Sequence, residues 1–138
     1  MENEKIKTSA AEVWVEDGNI MMVKIISRVL TKKDFEEIGV IGEKLRKEKI
    51  KGRLYTIADV SNIRWVNEES RKYVVKMPGL ENSNGTALVC NNPVARTIAS
   101  FFLSINKTKR VVIKVFKTIK EAKNWIKKRE QELSEISQ

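Results

Sequence analysis

Short apolar stretches alternate with longer amphipathic ones along this chain of 138 residues. Near its amino end, residues 12–15 and 20–26 are apolar runs joined by Asp17-Gly18-Asn19. Asp-Gly between two such runs is typical of a tight hairpin turn, so the first two strands are predicted to pair antiparallel. Residues 1–10 are polar, and we expect them to fray.

An amphipathic helix is predicted to follow the hairpin. Thr31 and Asp34 have the spacing of a capping box. Apolar side chains then recur at helical intervals from Phe35 to Leu45. Gly39 and Gly42 lie within this helix and suggest a close approach to the sheet; the alternative is that they are merely tolerated.

Three strand–helix units complete the pattern. Strands are predicted at 54–60, 86–90 and 110–116, with helices that begin near Asn67, Asn92 and Thr118. Crossovers between parallel strands are nearly always right-handed, so these units should build one parallel sheet. The predicted fold is α/β, a mostly parallel five-stranded sheet with an N-terminal antiparallel hairpin and four helices. We expect a single domain over residues 1–138 whose ends, 1–10 and 130–138, are frayed.

The sequence has no histidine, which excludes Ser-His-Asp triads, Cys-His pairs and histidine metal sites. No catalytic residue, metal ligand or cofactor motif stands out, and we expect a protein that is not an enzyme and needs no cofactor. Cys90, the single cysteine, lies in an apolar run and is predicted to be a buried, inert thiol. The sequence shows neither a signal peptide nor a membrane-spanning run, so a cytoplasmic location is the default expectation.

The net charge of +9 is uneven along the chain. Residues 105–138 carry ten Lys or Arg against four Glu, a balance of +6. Such a segment could contact nucleic acid, anionic lipid or an acidic protein. We favour the simpler interpretation of a solvated helix face, because the sequence has no RNA-binding signature or interleaved surface aromatics.

The residues at the end of the predicted strand 54–60 and just after it resemble a motif of the anti-sigma-factor antagonist (STAS) family. There a strand ends in Asp-Leu-Ser-Gly-Val, matched here by Asp59-Val60-Ser61-Asn62-Ile63, and Trp65-Val66 and Asn67 match the apolar pair and second aspartate that follow. The serine that the family phosphorylates falls on Glu68, which cannot be phosphorylated, although its charge partly mimics phosphoserine. The resemblance therefore implies a STAS fold without the usual phosphoacceptor serine.

A closer likeness joins residues 85–126 to small bacterial proteins grouped as STAS-like or SEC14-like. It is carried by Ala87-Leu88-Val89, Asn92-Pro93-Val94-Ala95-Arg96, Phe101-Phe102, Phe116-Lys117-Thr118 and Trp125-Ile126. That group implies no established activity. Its SEC14 analogy suggests lipid binding.

Three predicted loops, 59–67, 90–93 and 116–118, should meet at one edge, because the carboxyl ends of parallel strands lie together. The candidate anion or partner site there comprises Asp59, Ser61, Asn62, Trp65, Glu68, Arg71, Asn92 and Arg96. Arg96 opposes the dipole in the first turn of its helix. Either it holds an anion with the free backbone N–H groups or, as we favour, it pairs with a carboxylate such as Asp59 or Glu68.

The predicted helix 93–105 is apolar most of the way round, so another element or a second subunit should cover it. Its candidate interface residues are Ala95, Ala99, Phe102 and Leu103. The leading hypothesis is a non-enzymatic regulatory or binding module that acts through contact with a protein partner, with a homodimer as one form. The alternative is a carrier of a small apolar ligand or lipid, with a cavity gated by loop 77–85. A nucleic-acid binder that uses the basic C-terminal helix ranks third.

Overall fold

A computed structural model describes residues 4–74, 76–77, 82–103 and 111–136. Parts of some sequence predictions lie outside these residues. They are the helix end at Pro78-Gly79, much of loop 77–85, the end of helix 93–105 and the start of strand 110–116.

Within these ranges the chain forms eight strands and four helices. The strands are β1 (Ile6–Lys7), β2 (Ala11–Glu16), β3 (Ile20–Ile25), β4 (Val29–Leu30), β5 (Tyr55–Asp59), β6 (Trp65–Val66), β7 (Thr86–Val89) and β8 (Ile113–Phe116). The helices are α1 (Lys32–Lys49), α2 (Glu68–Val74), α3 (Pro93–Leu103) and α4 (Ile119–Ile136).

The main sheet has six strands in the order β1-β2-β3-β5-β7-β8. β1, β2 and β3 pair antiparallel, whereas β3, β5, β7 and β8 are parallel. Asp17 and Gly18 form the hairpin turn with φ of 56° and 78°, the backbone geometry for which Asp-Gly is favoured. The predicted α/β fold with its N-terminal hairpin is confirmed.

Regular secondary structure extends farther toward both ends of the described residues than the sequence predicted. Ile6 and Lys7 pair with Val13 and Glu12, and this edge strand makes the sheet six-stranded rather than five-stranded. At the other end α4 continues to Ile136 instead of fraying after residue 129.

A second, two-stranded sheet was not predicted. Val29 of β4 is the partner of Trp65 in β6, and Leu30 is the partner of Val66. Leu30 and Val66 are buried, whereas Val29 and Trp65 are 47% and 46% exposed. Because successive side chains of a strand point to opposite faces, the small sheet turns one apolar pair into the core and the other to solvent.

The main sheet has helices on both faces. Apolar side chains of α1, α2 and α3 pack on one face, in the core that includes Leu88 and Ile113. On the other face α4 packs Ala122 and Ile126 against side chains such as Tyr55 and Ile57. Alternate residues of β5 thus belong to different cores, as expected for a central strand buried on both faces.

The chain's own core accounts for much of the apolar surface of α3. Ala95 and Ala99 have no exposed surface, Phe102 is buried, and Leu103 is partly buried. Ala95, Ala99 and Phe102 therefore cannot supply the interface that we expected from the sequence, because they pack in the core beneath the sheet.

Candidate functional site

The carboxyl ends of β3, β5 and β7 meet at one edge of the sheet. The Asp59 carboxylate accepts a hydrogen bond from the Ser61 N–H at 3.1 Å, which closes the turn after β5. The Asn62 side-chain amide donates to the Ile25 carbonyl at 3.3 Å, which joins this turn to the end of β3. Two of the candidate site residues thus shape the edge itself.

Asn92 joins the turn after β7 to the turn after β5. Its side-chain oxygen accepts from the Ala95 N–H at 2.9 Å and so caps α3. Its side-chain amide donates to the Ser61 carbonyl at 2.7 Å, and the Ser61 hydroxyl accepts from the Asn91 N–H at 3.3 Å. Ser61 and Asn92 are therefore committed to holding the two turns together.

Arg96 is exposed on the first turn of α3, near Cys90. Among the described residues it forms neither of the ion pairs with Asp59 or Glu68 that the sequence analysis favoured. Cys90 itself is fully buried. Burial raises the pKa of its thiol, Arg96 acts against that change, and Asp59 adds to it.

Glu68 and Ser70 at the start of α2 differ in exposure and in their contacts. Glu68 is exposed and forms an ion pair with Lys72 one helical turn later, at 3.3 Å. Ser70 is fully buried, and its hydroxyl donates to the Leu30 carbonyl at 3.1 Å. The position that matches the phosphorylated serine of the STAS motif is thus an exposed carboxylate, and the nearby Ser70 hydroxyl is enclosed.

Trp65 is the centre of an exposed apolar and basic patch. The guanidinium carbon of Arg71 lies 5.7 Å from the centroid of the Trp65 ring, within the range of a cation–π contact. Arg71 also donates from Nε to the Val66 carbonyl at 3.2 Å. Arg64 donates from Nη1 to the Ser61 and Ile63 carbonyls at 2.8 and 3.0 Å. Both arginines are therefore fixed in place by the backbone.

A surface groove of about 240 Å³ lies beside this patch. It runs between Arg64, Trp65 and Arg71 on one side and Thr97, Ile98 and Phe101 of α3 on the other. We call these six residues together with Val29 the Trp65 surface. It combines an aromatic ring, apolar walls and two fixed positive charges.

Trp65 and Arg71 were predicted from the sequence as site residues, whereas the other residues of this surface were not. Arg64 and Val29 carry no motif. Arg64 directly precedes Trp65 in the chain, and Val29 lies beside Trp65 through the pairing of β4 with β6. The exposed pair of Val29 and Trp65 arises from strands of two residues each, which have no periodicity to recognise.

A larger cavity, of about 370 Å³, lies between α1 and the face of the sheet that carries α1, α2 and α3. Its walls include Phe35, Ile38, Leu54, Ala58 and Leu88. The sequence signal for this cavity is Gly42 on α1. We expected that glycine to bring the helix close to the sheet, but a methyl group built there would touch no atom within 4 Å.

Two further features bear on function. In the described ranges no three His, Cys, Asp or Glu side chains are grouped as metal ligands would be. The same ranges contain no helix that is both long and apolar enough to cross a lipid bilayer.

This arrangement of sheet and helices is a SpoIIAA-like, or STAS-like, α/β fold. The structure is similar to the crystal structure of an uncharacterized protein of the DUF3478 family from Shewanella loihica PV-4, which has a SpoIIAA-like fold. The TM-score is 0.59 and the identity 14%, over 84% of this chain and 91% of that chain, so the likeness concerns the fold. Residues 13–130 match the model of a domain of unknown function, DUF7793, and the chain belongs to that family. No curated protein matches the sequence.

Proposed function

We propose that this protein is a non-enzymatic binding module that docks an acidic segment of a cytoplasmic protein partner on the Trp65 surface. The observation that supports this proposal is the exposed pair of Val29 and Trp65, flanked by two arginines that the backbone holds in place.

The physical chemistry of the surface favours protein binding. Tryptophan and arginine dominate the energetics of protein interfaces when they are buried at the centre of a contact. Arg64 and Arg71 already hydrogen bond to backbone carbonyls, so little side-chain entropy is lost when a partner binds. Their positive charges complement carboxylates and disfavour a basic partner.

The proposal changes the expected site in two ways. The contact residues are those of the Trp65 surface, whereas Asp59, Ser61, Asn62 and Asn92 hold the turns that support it. A second copy of the chain is not the partner that we propose, because the surface is basic and Ala95, Ala99 and Phe102 are internal. Light scattering of the isolated protein should give the mass of a monomer.

Selection from a random peptide library on the immobilised protein tests the proposal. We expect the selected peptides to carry several carboxylates around one large apolar side chain. Trp65→Ala should weaken their binding by ~2 kcal/mol or more, a factor of about 30, as loss of a central anchor does.

Ile136→Ala is the matched control, because Ile136 is also an exposed apolar residue but lies at the end of α4. It should leave peptide affinity unchanged. Peptides without acidic residues, or equal affinity for the wild type and Trp65→Ala, would refute docking on this surface.

The cavity favours a second candidate function, a carrier of small apolar molecules. Its volume of about 370 Å³ falls within the range of pockets for small molecules, and its lining is mostly apolar. The cavity and the groove of the Trp65 surface have mostly different linings, although Phe102 contributes to both.

A further inference from the structure

The cavity is open because α1 has a glycine, Gly42, on the face that is turned toward the sheet. Gly42 lies seven residues after Phe35, four after Ile38 and three before Leu45, so it shares the buried face of the helix. A side chain at this position would enter the cavity, since nothing lies within 4 Å of a Cβ built there. Gly39, one turn earlier, has only the tip of Met77 nearby, at 3.4 Å.

The sheet side of the cavity carries two threonines in an otherwise apolar wall. Thr56 of β5 and Thr86 of β7 are direct partners across the parallel ladder, so their side chains are neighbours on one face. Both line the cavity, and Thr86 is only 4% exposed. Over the ranges that the structure describes, neither hydroxyl has a hydrogen-bonding partner.

Enclosed polar groups are nearly always hydrogen bonded, and among the described residues no fully buried side-chain oxygen or nitrogen lacks a partner. The two threonine hydroxyls are therefore accessible from the cavity. They stand side by side and face an open space. Together they offer a paired donor and acceptor to a molecule that enters the cavity.

The charged residues that line the cavity disfavour a ligand with a negative charge. Arg46 donates from Nε to Glu43 at 3.1 Å and makes a second contact with the same carboxylate through Nη2. Arg46 is thus neutralised, and Glu36 adds a further negative charge. An anionic head group would therefore find no unpaired cation in this part of the described structure.

We propose that the cavity binds a small neutral molecule with an apolar body and one polar group. The polar group hydrogen bonds to the Thr56 and Thr86 hydroxyls. This inference rests on the second candidate function, the carrier of apolar molecules, and adds the class of ligand and the residues that select it. The apolar body fills the space beneath Gly42, and its polar group satisfies the threonine pair.

Naphthalene and naphthol are suitable probes, because they share one apolar body and differ by a single hydroxyl. Both should bind in titrations followed by protein NMR, with shifts at residues of the cavity wall. Naphthol should bind about 3- to 10-fold more tightly, as one added hydrogen bond predicts. The double variant Thr56→Val, Thr86→Val should abolish that preference and leave naphthalene binding intact.

Gly42→Leu tests the location of the site. The leucine side chain should fill the cavity and weaken the binding of both probes at least tenfold. Leucine is a better helix former than glycine, so the variant should unfold at no lower temperature than the wild type. Lys47→Leu, an exposed position of α1 outside the cavity, is the matched control and should bind both probes normally.

The outcomes distinguish the carrier function from the role of the threonine pair. If neither probe binds, or if Gly42→Leu leaves binding unchanged, both the carrier function and this inference are refuted. If naphthalene and naphthol bind equally well and Gly42→Leu blocks both, the carrier function holds and the role of the threonine pair is refuted.

Discussion

At the scale of single residues, the environment of a side chain decides its role more than its chemical type does. Cys90 was predicted to be inert from its apolar neighbours, and it has no exposed surface. Arg64 carries no sequence signal, yet two backbone carbonyls fix it beside Trp65. Its role could not be predicted, because it depends on a turn whose shape is set by pairing between distant parts of the chain.

The thiol of Cys90 should resist alkylation in the folded protein. Burial raises its pKa, so the reactive thiolate is scarcer than for an ordinary cysteine near neutral pH. We expect iodoacetamide to modify native Cys90 on the order of 100-fold more slowly than in the unfolded chain, because reaction requires local opening. Mass spectrometry over time, in buffer and in concentrated urea, measures both rates. Equal rates would contradict burial of the thiol.

At the scale of elements, long periodic segments could be predicted and short pairings could not. The predictions of α1, the β2–β3 hairpin and the three parallel strands followed from periodicity, capping residues and Asp-Gly. β1, β4 and β6 have two residues each and show no period. The carrier hypothesis required a cavity, but its position could not be predicted, because an inward glycine fits either a close approach or an open space. Only the packing of α1 decides between them.

Helix α4 depends on polar contacts at both ends, because it covers its face of the sheet alone among the described helices. Near its start, Lys123 forms an ion pair with Glu16 of β2. Farther along, the Tyr55 hydroxyl donates to Glu130 at 2.6 Å, and Arg53 donates to the same carboxylate at 3.0 Å. These contacts fix the register of α4 on β5.

Tyr55→Phe should lower the free energy of unfolding by ~1.5 kcal/mol near neutral pH. This is the low end of the usual range for a hydrogen bond to a charged group, because the Glu130 side chain is partly exposed to solvent. Urea unfolding followed by circular dichroism measures the change. Phenylalanine keeps the ring that packs on the α4 side of the sheet, so the loss isolates the hydroxyl. An unchanged stability would show that Glu130 does not need this bond.

The cost of Tyr55→Phe should depend on pH. The Tyr55 hydrogen bond is the largest cause that lowers the pKa of Glu130 below its ordinary value of 4.5. A carboxylate whose pKa is lower in the folded than in the unfolded protein stabilises the fold at pH values above its unfolded-state pKa. This stabilisation is lost as the pH falls through the folded-state pKa. The difference in the free energy of unfolding between wild type and Tyr55→Phe should therefore be largest near neutral pH and should decrease below pH 4.5. A constant difference would contradict the link to Glu130.

At the scale of the whole molecule, the net positive charge should raise the rate of association with an acidic partner. The chain carries +9, and the Trp65 surface adds Arg64 and Arg71 at the point of contact. Long-range attraction of an acidic partner should therefore speed association, and salt should screen it.

Raising NaCl from ~0.05 M to ~0.5 M should slow association of a selected acidic peptide by about tenfold, with a smaller effect on dissociation. Stopped-flow measurement of tryptophan fluorescence gives the association and dissociation rates. An association rate that does not depend on salt would show that charge does not guide the partner to this surface.

The three tryptophans allow the most direct test of docking on the Trp65 surface. The Trp14 indole N–H is bonded internally to Glu16 at 2.6 Å, and Trp125 packs against Phe116, whereas Trp65 is 46% exposed. In a two-dimensional NMR titration with a selected acidic peptide, we predict that the indole resonance of Trp65 shifts while those of Trp14 and Trp125 stay in place. Movement of Trp14 or Trp125 with Trp65 unchanged would place the contact elsewhere and contradict the account.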